Sequence, residues 1–321
     1  MRIFEHAKYP FLSWRRRAYI IAAVTLIIGI AAMVRNVVDP AVGSWVRYGV
    51  DFTGGTIVQV EFVADTDVED IRAVDGADAW EIYRFGGEND FIIRTPTFSQ
   101  GTDTDATRVV QETLGAEFGD PAFNIVRTEA VGPKVGAELQ QRALLAIALS
   151  LLATLAYLAY RFEWRFGVAA VVATTHDILI TLGFIALIRS EVSLGTVAAL
   201  LTVVGYSLND TIVVFDRIRE NLHLPHRGQS YPEILDRSVN ETLPRTFLTG
   251  PSVLATLFAL LIFGGPVIRD FALVLIVGTV AGTFSSIFIA TPILYAIEQT
   301  WPHKPSKSST RTPSRRESAA V

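Results

Sequence analysis

The sequence predicts an α-helical integral membrane protein of six spans, with a small α+β domain between the first two. Three observations carry that prediction. Half of the 321 residues are hydrophobic, and the mean hydropathy is +0.37. Six apolar runs, at 18–34, 143–160, 167–188, 194–215, 247–263 and 271–297, approach or exceed the roughly 20 helical residues that cross a hydrocarbon core about 30 Å thick. Between the first two runs, residues 35–142 hold 19 acidic and 9 basic side chains, while the chain as a whole carries only −4.

Basic residues orient such a chain. Arg2, Lys8, Arg15, Arg16 and Arg17 precede the first run; Arg161 and Arg165 fill the second–third connection. Arg217, Arg219, Arg227, Arg237 and Arg245 fill the fourth–fifth, and Lys304, Lys307, Arg311, Arg315 and Arg316 lie in the tail. The opposite loops carry one each, Arg189 and Arg269. The expectation is a multi-pass protein of the cell (inner) membrane with both termini cytoplasmic. Residues 1–17 and a disordered tail, 300–321, lie inside, and residues 35–141 form an extracytoplasmic domain. The apolar run at 18–34 is longer than the 7–15 residues of a cleaved signal core, so it reads as a retained anchor.

In chain order, GVDFTGGT (49–56) follows the first span, and its paired glycines, Gly54 and Gly55, mark a tight turn or a close backbone approach. Strand-like alternation occupies 57–63, 80–85 and 90–95, with a Gly-Gly-Glu-Asn hairpin signal at 86–89. Amphipathic helices fit 67–74 and 104–118, and a last strand fits 123–131. The order βαββαβ is a ferredoxin-like plan. Pro133, in VGPKVGAELQQ (131–141), suits a helix start, so the joint into the second span is rigid or flexible according to where that helix begins.

Residues 142–299 then form a five-helix region with a cytoplasmic amphipathic loop at 216–246. In that loop Ser230-Tyr231-Pro232-Glu233 reads as a capping box with Pro in the first turn. It opens a helix with Ile234, Leu235, Val239, Thr242 and Leu243 on one side, expected to lie along the inner membrane face and deliver Arg245 to the fifth span. Gly278 and Gly282 in the last span give a spacing that lets helices approach closely.

The chemistry-bearing groups are few. Asp177, with His176 beside it, lies in the third span, Asp210 in the fourth, and Arg245 at the mouth of the fifth. An ionised Asp at the centre of a membrane helix costs roughly 2.5–3.5 kcal/mol, so it is paired, protonated or facing protein or water. A carboxylate that approaches and leaves an arginine changes its proton affinity with conformation, which a proton carrier needs. Plainer readings stand beside this one. Asp177, His176 and the threonines at 174 and 175 make a structural network; Asp210 next to Asn209 makes a helix–helix hydrogen bond; Arg245 anchors at phosphate level. Asp216 and Arg217 read as interfacial charges.

Other classes find no support. There is no cysteine, His176-Asp177-Ile178-Leu179-Ile180 lacks the second histidine of HExxH, and no Walker-type phosphate loop occurs. Asn240-Glu241-Thr242 matches a glycosylation pattern by chance, on the inner side. Neither a cofactor, a metal nor a nucleic-acid partner is expected.

GVDFTGGT, VGPKVG, HDILITLG, VGYSLNDTIVVFDRIREN and NETLPRT, in this order, resemble the SecF subunits of the SecD/SecF protein-export family over essentially the whole chain except the tail. That resemblance implies half of a twelve-helix unit of resistance–nodulation–division (RND) type, completed by SecD. It implies a cation-gradient-driven, non-enzymatic role in late protein export, with the SecYEG channel, the translocating unfolded polypeptide, a YajC-like accessory protein and membrane lipid as partners. Asp210 matches the family's intramembrane carboxylate and Arg245 the arginine coupled to proton movement; Asp51, Gly54, Gly55, Asn209, Asp216 and Arg217 fall on its motifs. The competing readings are a half-transporter for lipids or small molecules and a purely structural subunit.

Overall fold

The computed structural model describes residues 7–78, 80–95, 104–119, 122–224 and 228–301; the tail beyond Trp301 lies outside them. Six helices in it are long and apolar enough to cross a membrane. The first is α1 (Arg15–Val38), entered through a short 3-10 turn at Phe11–Trp14. After the α+β domain come α5 (Pro133–Arg161), α6 (Trp164–Ile188), α7 (Leu194–His223), α8 (Tyr231–Phe263) and α9 (Gly265–Ser285). The last span continues from α9 through a π-helical turn, Ser286–Ala290, into α10 (Thr291–Thr300). The wide turn sits just before Pro292, which cannot donate an amide to the carbonyl of Phe288. Within the turn the Thr291 hydroxyl donates to the Ser286 carbonyl (3.2 Å).

The domain between α1 and α5 contains β1 (Arg47–Tyr48), α2 (Val50–Thr53), β2 (Gly55–Phe62), α3 (Val68–Arg72), β3 (Glu81–Arg84), β4 (Asp90–Thr95), α4 (Thr104–Phe118) and β5 (Phe123–Val131). The sheet order is β3-β4-β2-β5, every neighbour antiparallel, as the ferredoxin-like plan requires. A capping box at Asp67 and Asp70 starts α3. Val58, Val60, Ile71, Phe91, Ile93, Val110 and Leu114 are fully buried and make the core between sheet and helices.

One expectation is overturned. The segment before the fifth span is not a separate interfacial helix: residues 231–263 are one helix, about 50 Å long, more than a bilayer core requires. The expected capping box is present, with Glu233 accepting from the Ser230 amide at 2.7 Å. Pro244 and Pro251 lie inside without ending it. Residues 216–223 likewise continue α7, so the amphipathic connection shrinks to 224–230. Periodicity alone missed this because the apolar face of 234–243 packs on protein rather than lipid. Leu235 and Val239 are buried beside Val214, Phe215 and Ile218 of α7.

The α+β domain is tied to the bundle at several points that sequence patterns did not reveal. Strand β1 pairs in parallel with β6 (Glu191–Val192), the short link between α6 and α7. Arg94 of β4 donates to the Tyr48 carbonyl (3.3 Å), the Thr53 hydroxyl (2.6 Å) and Glu191 (3.4 Å). Burial pushes the Glu191 carboxyl above its ordinary range, against the opposing pull of Arg94 and Arg47.

The paired glycines fulfil the expected close approach. Gly54 has φ +75°, and a Cβ there would lie 2.7 Å from the Pro133 Cα; a Cβ on Gly136 would lie 2.7 Å from the Phe52 carbonyl oxygen. Residues 49–56 and 131–136 therefore interlock backbone to backbone, and α5 begins at Pro133 as a direct continuation of the domain. Gly54→Ala combines left-handed strain with overpacking and is expected to cost roughly 2–4 kcal/mol. Gly43→Ala, with φ +63° but open space around it, carries the strain alone. Thermal unfolding of the two detergent-purified variants decides the point, since equal losses would mean the interlock does not require glycine.

Candidate functional site

The apolar core of the bundle is not continuous. One buried cluster, with Phe166, Phe215, Leu235 and Leu294, fills the end away from the sheet; another, with Ile185, Leu200, Val203 and Val274, fills the end beside it. Between them lies a layer of buried polar side chains: Thr174, His176, Asp177, Thr181, Ser207, Asp210, Thr246, Ser285 and Ser286. Counting from the sheet end at 1.5 Å per residue, Asp177 is about 16 Å deep along α6 and Asp210 about 24 Å deep along α7.

Both carboxylates are satisfied by hydroxyls from other helices. Asp177 is fully buried; its Oδ2 accepts from Ser207 of α7 and Ser285 of α9, each at 2.6 Å. Its Oδ1 faces His176 Nδ1 at 3.0 Å. A carboxylate acceptor there calls for a proton on Nδ1, which leaves Nε2 buried without a partner among the described residues. Asp210 is 7% exposed; Oδ1 accepts from Thr246 of α8 at 2.9 Å and Oδ2 from Ser286 of the π turn at 2.8 Å.

Small residues make these contacts reachable. A Cβ on Gly282 would lie 2.9 Å from that of Ser207, and one on Gly278 would collide with Val203, so the expected small-residue stripe of the last span seats against α7.

The structural-network reading of Asp177 is met in part, with different partners. The Thr174 hydroxyl donates to Ala170 of its own helix, and the donors to Asp177 come from α7 and α9. Asn209 is exposed beside Asp210, so the hydrogen bonds to Asp210 run through hydroxyls instead. Ser207, Thr246, Ser285 and Ser286 were not picked out from the sequence. Their only signal is a hydroxyl on a span face, which also marks ordinary bonding to a helix's own backbone.

Arg245 is exposed on α8, and its guanidinium makes no hydrogen bond or ion pair among the described residues, although its charge acts on Asp210. It lines a cavity of about 1210 Å³ at the end away from the sheet, with Asn209, Asp216 and Arg217 on its wall. Arg217 is more than an interfacial charge: it bonds Glu241 of α8 and Glu220, each at 2.5 Å, and Asn221 also reaches Glu241 (2.7 Å). The cavity is closed on one side by the segment before α1, whose Tyr9 exchanges two 2.9 Å bonds with Asn240 while the Leu12 amide donates to Asp236. At the opposite end Asp51 accepts from the Leu194 amide at 2.8 Å, adding a carboxylate to the N-terminus of α7. Gly54 and Gly55, at φ +75° and +121°, form the turn from α2 into β2.

Six apolar helices enclosing two satisfied carboxylates, with a ferredoxin-like domain clamped to one end, define a multi-pass membrane protein with ionisable groups in its interior. Comparison with known proteins gives the family. The description "Protein export membrane protein SecD/SecF, C-terminal" matches residues 110–300, and "SecD/SecF GG Motif" matches residues 42–65. The chain belongs to the SecD/SecF family.

Protein translocase subunit SecF of Gemmatimonas aurantiaca is 48% identical, over 97% of this chain and 93% of that protein. The subunit of the same name from Escherichia coli O157:H7 is 37% identical, over 89% and 86%. The crystal structure of SecDF from Thermus, a translocon-associated membrane protein, aligns with TM-score 0.79 and 33% identity, covering 93% of this chain. This chain spans 40% of that SecDF chain. SecDF in its super-membrane-facing form aligns at 0.64, with 34% identity.

Removing the Asp177 carboxylate takes the acceptor from the buried Ser207 hydroxyl and from His176, while Ser285 keeps the Gly282 carbonyl. Asp177→Ala is expected to cost about 3 kcal/mol, and Asp177→Asn, which keeps an acceptor, about 1. Thermal unfolding in detergent measures both; wild-type values would mean the layer does not hold the bundle.

Proposed function

We propose that this chain is the SecF-type subunit of a Sec translocase and acts with a SecD-type chain to couple a proton or sodium gradient to late steps of protein export. Both relatives cited bear the translocase-subunit name, and SecDF is described as translocon-associated, which supports the role. The 40% share of the SecDF chain supports a separate partner that completes the unit. The partners in this reading are SecD, the SecYEG channel and the translocating polypeptide, with a YajC-like protein and lipid around them. The end bearing Arg161, Arg165, Arg217 and both termini is cytoplasmic, and residues 35–141 face outward across the inner membrane, in line with the excess of basic residues at that end.

One observation carries the coupling reading. Asp210 is buried in the bundle yet, among the described residues, bonded only by two neutral hydroxyls, with Arg245 nearby on the wall of a cavity that also holds Asn209. A carboxylate so placed takes up a proton at modest cost, because the hydroxyls turn to suit either form. Arg245 supplies the positive charge that favours the ionised form. Asp177 and His176 adjoin this pair as the rest of the coupling set. One charge crossing 100 mV yields about 2.3 kcal/mol, and about 1.4 kcal/mol is a tenfold change in population. A single proton per cycle therefore suffices to bias a two-state movement well over tenfold.

In proteoliposomes holding this chain with its SecD-type partner, Asp210→Asn is expected to lower gradient-driven cation flux and export stimulation at least tenfold. The complex should still purify intact. Flux at the wild-type level would overturn the coupling role and leave the chain a structural subunit.

A further inference from the structure

Ser285 and Ser286 are consecutive, and their hydroxyls reach different carboxylates on different helices. Ser285 donates to Asp177 of α6 at 2.6 Å, and Ser286 to Asp210 of α7 at 2.8 Å. Successive helical residues diverge by about 100°, which suits one pair of neighbours to two adjacent helices. They stand at the junction where α9 widens into its π turn, a local geometry that departs from the regular ladder and often marks functional positions.

Each hydroxyl also has a second acceptor on its own helix: the Gly282 carbonyl for Ser285 and the Thr283 carbonyl for Ser286, both at 3.1 Å. Neither serine is stranded if its carboxylate ceases to accept. The pair thus has two satisfied arrangements, bonded outward to the carboxylates or back to α9.

We propose that Ser285 and Ser286 are positioning residues that couple Asp177 to Asp210 through the π turn, so that a proton on one carboxylate changes the hydrogen bonding of the other. A proton on Asp210 turns an acceptor into a donor, Ser286 swings back to Thr283, and the adjoining residue Ser285 shifts against Asp177. Among the described residues, the titratable or charged groups beside the two carboxylates are His176 on α6 at Asp177, and Tyr206 on α7 and Arg245 on α8 at Asp210. Ser207 adds a parallel tie, since it sits on α7 three residues before Asp210 and shares Asp177 Oδ2 with Ser285. This inference rests on Asp210 being the group that carries the proton.

The test is the pH midpoint of cation flux in proteoliposomes containing the chain with its SecD-type partner. Ser285→Ala, which removes no hydrogen bond to Asp210, is expected to move that midpoint by about 0.5 unit or more, in the same direction as Ser286→Ala. Ser285→Cys, with a weak S–H donor in the same volume, should give a smaller shift and covers the case in which the alanine variant does not fold. In double-variant cycles, Asp177→Asn should combine non-additively with Ser286→Ala and additively with Thr246→Ala, the other donor to Asp210. A wild-type midpoint in both Ser285 variants, or additivity in both cycles, overturns the coupling while Asp210→Asn remains inactive. Full flux in Asp210→Asn overturns the proton-carrier reading itself, and this inference with it.

Discussion

Everything in the bundle accommodates two carboxylates buried between its helices. An ionised group in an apolar interior is tolerable only with donors aimed at it, and helices that have spent their backbone hydrogen bonds internally can offer only side chains. Besides His176, the donors are hydroxyls on α7, α8 and the last span, and a hydroxyl reaches only a short way from its backbone. The helices must therefore come close, which explains Gly278 and Gly282 against α7. The same requirement splits the apolar core into two clusters with the polar layer between them. Shape and charge here are one constraint.

That constraint also explains what the sequence displayed and what it hid. The six spans, the βαββαβ order and the capping box at Ser230 were legible because each rests on a local pattern: hydropathy over a span, alternation of period two, or a side chain three residues from its amide. Asp177 and Asp210 were legible because an acidic residue in a span is rare and costly. Their partners were not. Ser207, Thr246, Ser285 and Ser286 look like any hydroxyl on a helix, and only the packing of four helices brings them to the carboxylates. The helical extension over 231–246 was misjudged for a related reason. An amphipathic face reports that something apolar covers it, and cannot say whether that is lipid or a neighbouring helix. The β1–β6 pairing, two residues from each of two distant links, is too short for any pattern to announce.

The joint between domain and bundle follows a different logic. Most attached domains hang on flexible linkers; this one enters α5 with Pro133 as the first helical residue and locks Gly54 and Gly136 against the opposing backbone. Arg94 then ties the sheet to α2, β1 and β6 at once. With several attachments the domain cannot pivot about one bond. Its orientation is set by the helices beneath it, above all by α7, whose first amide is held by Asp51.

Because α7 is one unbroken helix from Leu194 to His223, it behaves as a beam. Asp210 lies about 24 Å along it from the end gripped by Asp51 and β6. A tilt of only about 10° about Asp210 carries Leu194 sideways by roughly 4 Å over that arm. A tilt that pivoted at the polar layer would thus reach the sheet enlarged to the width of a side chain by the length of that arm.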